Sequence, residues 1–189
     1  MVIKKMELKK LKLFEEMSEE TNCYVGVVYI NGKPAIEVKN DGHGGCYMQY
    51  PMKGFDRSII DVANEFCKKS FPATVFLYGD VTKDNIRQKD ILYADLETWC
   101  GDQIQEQAVR KEIKRLTTNK VSFVDKGGEV YSISTKTHPE AAVIAHIKGK
   151  YENVTILNGL AFEEQAKALM LPRADRVTLP PDEAMKIPA

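Results

Sequence analysis

Cys23-Tyr-Val-Gly-Val-Val-Tyr-Ile30, followed at once by Asn31-Gly32 and then by Pro34-Ala-Ile-Glu-Val-Lys39, decides how this chain folds. The first segment is a nearly continuous apolar run rich in β-branched and aromatic residues, the composition of a central strand buried on both faces. Asn-Gly is the dipeptide that best accepts two consecutive positive φ values. Ile36 and Val38 then alternate with Glu37 and Lys39, so the three pieces predict a β-hairpin with a two-residue turn. Toward the N-terminus, Leu11 and Leu13 alternate with Lys10 and Lys12 before Glu15-Glu-Met-Ser-Glu-Glu-Thr21 breaks the pattern. The opening stretch, through residue 50, therefore reads as a β-meander.

Downstream, Phe55, Ile59, Ala63 and Phe66 recur at helical spacing and predict an amphipathic helix over 55–69, stopped by Phe71-Pro72 and followed by a strand over 73–78. Polar residues 80–90 read as a linker. Leu92, Leu96, Trp99, Cys100, Ile104, Ala108, Ile113 and Leu116 continue a helical pattern that Gly101-Asp102 interrupts. Either one long helix or two collinear pieces satisfies it, with Asp102 and Gln105 as a cap for the second. Val121-Ser-Phe-Val124, the turn Asp125-Lys-Gly-Gly128 and Val130-Tyr-Ser-Ile133 form a second hairpin, followed by a helix over 139–150, a strand over 153–157 and a helix over 163–171. Hairpin, helix and strand thus occur in that order twice. The expected fold class is α+β, with mainly antiparallel sheet built from hairpins and interleaved helices. The expected division is a hairpin–helix–strand unit with a Gly-rich loop over 1–79, a helix–hairpin–helix–strand–helix unit over 91–171 and an extended Pro-containing tail over 172–189, with one compact domain as the alternative.

The 189 residues carry 27 Lys+Arg against 27 Asp+Glu, so a global electrostatic attraction to nucleic acid or membrane is not expected. Two local clusters depart from neutrality: Lys4, Lys5, Lys9, Lys10 and Lys12 against Glu7, and Arg110, Lys111, Lys114, Arg115, Lys120 and Lys126 against Glu112 and Asp125. No apolar run approaches the roughly 18 residues of a membrane span, and the N-terminus is charged where a signal peptide is apolar. A cytoplasmic location is expected, with no membrane partner. Cys23, Cys46, Cys67 and Cys100 form no C-x-x-C pair and read as reduced thiols.

Two segments are candidates for function. In Asn40-Asp41-Gly42-His43-Gly44-Gly45-Cys46 the glycines allow close backbone approach, while Asp41, His43 and Cys46 supply an acid, an imidazole and a thiol. The same residues suit a plain turn that leaves the hairpin. His43-x-x-Cys46 alone lacks the paired ligands of a zinc site, so no metal is assigned. Arg110, Lys111, Lys114, Arg115 and Lys120 could follow a phosphate backbone, with Phe123 and Tyr131 as stacking platforms; the competing reading is a solvated helix face. His138-Pro139 reads as a helix start, and His146 as packed or solvated. No P-loop, G-x-G-x-x-G, H-E-x-x-H or G-x-S-x-G motif is present, and no cofactor is implied.

Tyr29-Ile-Asn-Gly-Lys33 through the Asn-Asp-Gly-His-Gly-Gly-Cys46 loop resembles a family of small uncharacterised bacteriophage and mobile-element proteins that share an N-D-G-x-G-G-C loop after a hairpin. The run Arg110-Lys-Glu-Ile-Lys-Arg-Leu116 into Val121-Ser-Phe-Val124 is similar to the basic helix and strand of those proteins. The resemblance implies a phage origin, and with it the host cytoplasm as location, and carries no activity. The expected function is a non-enzymatic interaction protein that binds a host macromolecule, such as a defence or regulatory protein. A nucleic-acid-binding protein using the 110–126 segment is the first alternative, and a small-ligand or metal site at the 40–46 loop the second.

Overall fold

A computed structural model describes residues 1–44, 47–77, 81–82, 84–169 and 176–187. The chain forms two compact units, Met1–Gln103 together with Asp175–Ala189, and Ile104–Ala174. Every strand pair is antiparallel, and helices alternate with the hairpins, so the fold class is α+β.

The first unit opens with a four-stranded meander, β1 (Met6–Leu13), β2 (Tyr24–Ile30), β3 (Lys33–Asn40) and β4 (Met48–Pro51), in that spatial order. The β2–β3 turn is the expected two-residue one, with φ +51° at Asn31 and +82° at Gly32. Asn31 also ties down the N-terminus, because its Oδ1 accepts from the backbone of Lys4 and Lys5 and its Nδ2 donates to the Val2 carbonyl. Val28, Ile36 and Val38 are fully buried. Helix α1 (Ser58–Ser70) packs against β3 and β4 and buries Ile59, Ala63 and Cys67. It starts later than its periodicity predicts because Asp56 Oδ1 accepts from the Ser58 amide at 2.8 Å and caps the first turn.

β5 (Ala73–Phe76) does not join the meander, but sits between β10 (Arg176–Leu179) and the short β6 (Ile91–Leu92). Ala73, Val75 and Ile91 share a core with Ala184 of the one-turn helix α5 (Pro181–Ala184). The C-terminal stretch read as an extended tail thus carries a paired strand and a buried helical residue. Gln88 Nε2 fastens it by donating to the carbonyls of Ala184 and Ile187.

Helix α2 runs unbroken from Leu96 to Thr117, which settles the open choice in favour of one helix. Its cap is Asp95, whose Oδ1 accepts from the Thr98 amide while Thr98 Oγ1 accepts from the Asp95 amide. Asp102, the alternative cap, lies inside the helix.

In the second unit β7 (Lys120–Val124) pairs with β8 (Val130–Ser134) on one side and with β9 (Thr155–Ile156) on the other. Val121 and Phe123 meet Val143 and Ile147 of α3 (Glu140–Lys150) on one face of this sheet. Val124 meets Leu116 and Leu157 on the other, with Leu169 of α4 (Phe162–Leu169) packed against them. The two hairpin–helix–strand runs therefore close differently, since β9 returns to its own hairpin and β5 does not.

Candidate functional site

The 40–44 segment is a pinned turn. Asn40 is buried, and its Oδ1 accepts from the Gly42 amide at 2.8 Å and from Thr21 Oγ1 at 2.9 Å. The Gly42 carbonyl in turn accepts from the consecutive amides of Glu19, Glu20 and Thr21 at 3.1, 3.0 and 3.2 Å. Gly42 has φ +89°, and any Cβ there would collide with the Met17 carbonyl. Asp41 Oδ1 accepts from the His43 amide, His43 Nδ1 lies 3.1 Å from Glu19 Oε2, and the Gly44 amide donates weakly to Thr21 Oγ1. Gly42 and Gly44 thus serve close docking on Met17 and Glu20, while the Asp41 carboxylate engages the His43 amide and the His43 ring engages Glu19. Gly45 and Cys46 lie outside the described residues. Among those described, no group of three His, Cys, Asp or Glu side chains could hold a metal ion.

Cysteine chemistry has a buried setting elsewhere in the first unit. Cys67 and Cys100 are solvent-inaccessible, and Tyr47 Oη donates to Cys100 Sγ at 3.0 Å. Burial, reinforced by the nearby Asp95, pushes both thiols up to about 12, so they are protonated at neutral pH and are not nucleophiles. Burial also raises the Tyr24 and Tyr47 phenols. Among the described residues Cys23, Cys67 and Cys100 form no disulfide.

The basic segment is partly self-neutralised. Arg110 donates to Glu106 Oε1 from Nε and Nη2 at 2.9 and 2.7 Å, and its guanidinium lies 3.6 Å from the centre of the Phe162 ring. Arg115 grips Glu112 through two bonds of 2.8 and 2.6 Å, which hold the Glu112 carboxyl below its ordinary range. Lys111 and Lys114 are exposed, and Lys120 is half-buried at the start of β7. Of the two stacking candidates, Phe123 is buried beneath α3, and Tyr131 stacks on it at 5.5 Å.

Within the second unit an open groove of about 740 Å³ runs between α2 and β8. Ala108, Val109 and Leu116 supply its α2 wall, Val130 and Ser132 face it from β8, and Leu169 adds to it from α4; Glu112, Arg115 and Lys120 bring charge. On the opposite face of the same sheet a second concavity of about 400 Å³ lies between Ile133 of β8 and Val143 of α3, lined also by His138 and His146. Sequence reasoning singled out Tyr131 of β8 as a stacking platform but not the strand as a sheet edge. Its signal is the uncharged run Val130-Tyr-Ser-Ile-Ser134 on an edge, where β1 carries lysines.

Among the described residues no helix is long and apolar enough to cross a membrane. No protein-family model, curated protein or solved structure matches the chain.

Proposed function

We propose that the chain is a non-enzymatic interaction protein whose 104–174 unit binds a macromolecular partner along the groove between α2 and β8. The observation that carries this reading is the groove itself: it is open, walled by Ala108, Val109, Leu116 and Val130, and flanked by a sheet edge that pairs with no further strand among the described residues. A concavity with apolar walls and a few placed charges is the form that binding sites take. The resemblance of the hairpin and loop to small phage proteins supports a host macromolecule, such as a defence or regulatory protein, as the partner.

The nucleic-acid reading has weaker support, because the charges of Arg110 and Arg115 are paired with Glu106 and Glu112 through Nε and Nη2. The 40–46 loop has weaker support as a ligand site, because Asn40 and Gly42 already spend their polar groups on one another and on the 19–21 segment.

The test compares the wild-type chain with a Val109→Glu variant in crosslinked capture from host lysate, followed by titration of the captured species. A saturable partner at micromolar protein, lost from the folded variant, is the expected result. No saturable partner, or one indifferent to Val109→Glu, removes the reading. A partner that proves to be nucleic acid, with affinity falling steeply with salt and lost on Lys111→Ala, Lys114→Ala, Arg115→Ala substitution, replaces it with the alternative.

A further inference from the structure

The register of β4 on β3 sets Gln49 opposite Val38, which is fully buried. Residues opposite one another share a face of the sheet, so Gln49 lies on the side that α1 covers, where a polar side chain needs partners. Buried polar atoms of folded proteins are nearly always hydrogen-bonded. Among the described residues, Gln49 Oε1 is the one buried side-chain oxygen or nitrogen without a partner.

Gln49 lines a concavity of about 450 Å³ together with Tyr47 before β4 and with Arg57, Ser58, Ile60 and Asp61 at the start of α1. Tyr47 and Ile60 form its apolar part, the Tyr47 hydroxyl being spent on Cys100. Its lining carries one charge of each sign, on Arg57 and Asp61, and both side chains are exposed. They stand four residues apart, a spacing at which helical side chains are neighbours. Even so, neither forms an ion pair with the other or with any further described residue. The neighbouring charges are already engaged: Asp56 holds the Ser58 amide and hydroxyl, and Glu65 pairs with Lys69.

A lone anion on Arg57 would sit beside Asp61, and a lone cation on Asp61 beside Arg57, so a singly charged ligand meets a like charge either way. A small ligand that carries both charges is opposed by neither. Its ammonium supplies the donors that Asp61 and Gln49 Oε1 lack, and its carboxylate accepts from Arg57. The terminal torsion of a glutamine is broad, so the amide oxygen can turn toward a donor in the concavity. We propose that this concavity binds a free α-amino acid with an apolar side chain, its ammonium between Asp61 and Gln49, its carboxylate on Arg57 and its side chain against Tyr47 and Ile60. The site lies within the first unit and shares no residue with the groove between α2 and β8, so it stands independently of the reading of that groove.

The test titrates L-leucine into the full chain, with calorimetry for affinity and nitrogen–proton NMR spectra for location. Saturable shifts of the Gln49 side-chain amide and the Arg57 Nε–H are expected. Leucinamide, which lacks the carboxylate, and N-acetyl-leucine, which lacks the ammonium, should each bind about tenfold more weakly or worse. Leucine should lose as much on Arg57→Met and on Asp61→Asn, which change exposed side chains, and on Gln49→Met, which keeps the volume and removes the acceptor. Thermal melts identify which variants remain folded. The proposal falls if leucine gives no saturable shift, if the shifts map away from these residues, or if folded Arg57→Met and Asp61→Asn variants bind leucine as the wild type does. It also falls if leucinamide matches leucine, because an ammonium alone is then recognised, as at a peptide N-terminus, or if N-acetyl-leucine does, because the ligand is then a simple anion. A folded Gln49→Met variant with undiminished leucine affinity overturns the placement of the ammonium, and with it the proposal.

Discussion

Gly42 is the residue at which backbone conformation and packing are most tightly joined. Its positive φ disfavours any side chain, and the Met17 carbonyl occupies the space a Cβ would need. Gly42→Ala is expected to lower stability by about 2 kcal/mol or more, because strain and collision combine; a urea titration measures it. The buried thiols make a pH prediction. In the unfolded chain Cys67 and Cys100 release their protons near the ordinary value of 9.0, whereas the folded protein holds them to about 12. Between those values the unfolded state binds fewer protons, so stability falls as pH rises through that window and is unaffected by these groups below it. Urea midpoints across the alkaline range should decline, and a Cys67→Ala, Cys100→Ala variant should decline less steeply. A midpoint independent of pH in both proteins would contradict the burial-driven shift.

At the scale of elements, α2 tests how far local propensity reaches. Gly101 sits well inside this helix, exposed, with open space around the position of a Cβ. The helix nonetheless continues, because Leu96, Trp99, Cys100 and Ile104 are buried on either side of it and outweigh the propensity cost. Gly101→Ala should therefore raise stability by about 0.5–1 kcal/mol, and Asp95→Ala should lower it by about 1 kcal/mol through loss of the cap, both read by chemical denaturation. The hairpin turns were legible from local residues alone. Asn31-Gly32 allows few conformations, and Asp125 Oδ1 accepts from the Gly127 and Glu129 amides across the second turn. The start of α1 was not legible from apolar spacing, because a cap is set by one polar side chain that the periodicity omits.

At the scale of the molecule, the second unit is inserted into the first, which resumes at the C-terminus. β10 pairs with β5 through four residue pairs from Arg176↔Phe76 to Leu179↔Ala73, and Ala184 completes their core. Truncation after Ala174 should destabilise the first unit by more than any single substitution above, about 3 kcal/mol or more, since it removes a strand and a core residue together. Amide exchange is the appropriate measurement. Loss of protection in β5 and β6 with β7 and α3 retained is expected, and uniform loss would mean that the two units unfold together.

Turn chemistry, strand alternation and helix period are properties of neighbours along the chain. The sequence by itself therefore determined the hairpins, helices α1 to α4 and the α+β class, but not α5. It also displayed the glycines of the 40–46 loop, but not the Glu19–Thr21 amides that hold Gly42, because that contact joins segments about a strand pair apart. Strand choice is equally non-local. Ala73–Phe76 has the same apolar pattern whether it joins β4 or waits for β10, and closing a longer loop costs only slightly more entropy. The edge position of β8 is likewise a tertiary outcome, because its residues read as an ordinary hairpin strand and only the placement of β9 on the far side of β7 leaves its outer groups without a strand partner among the described residues.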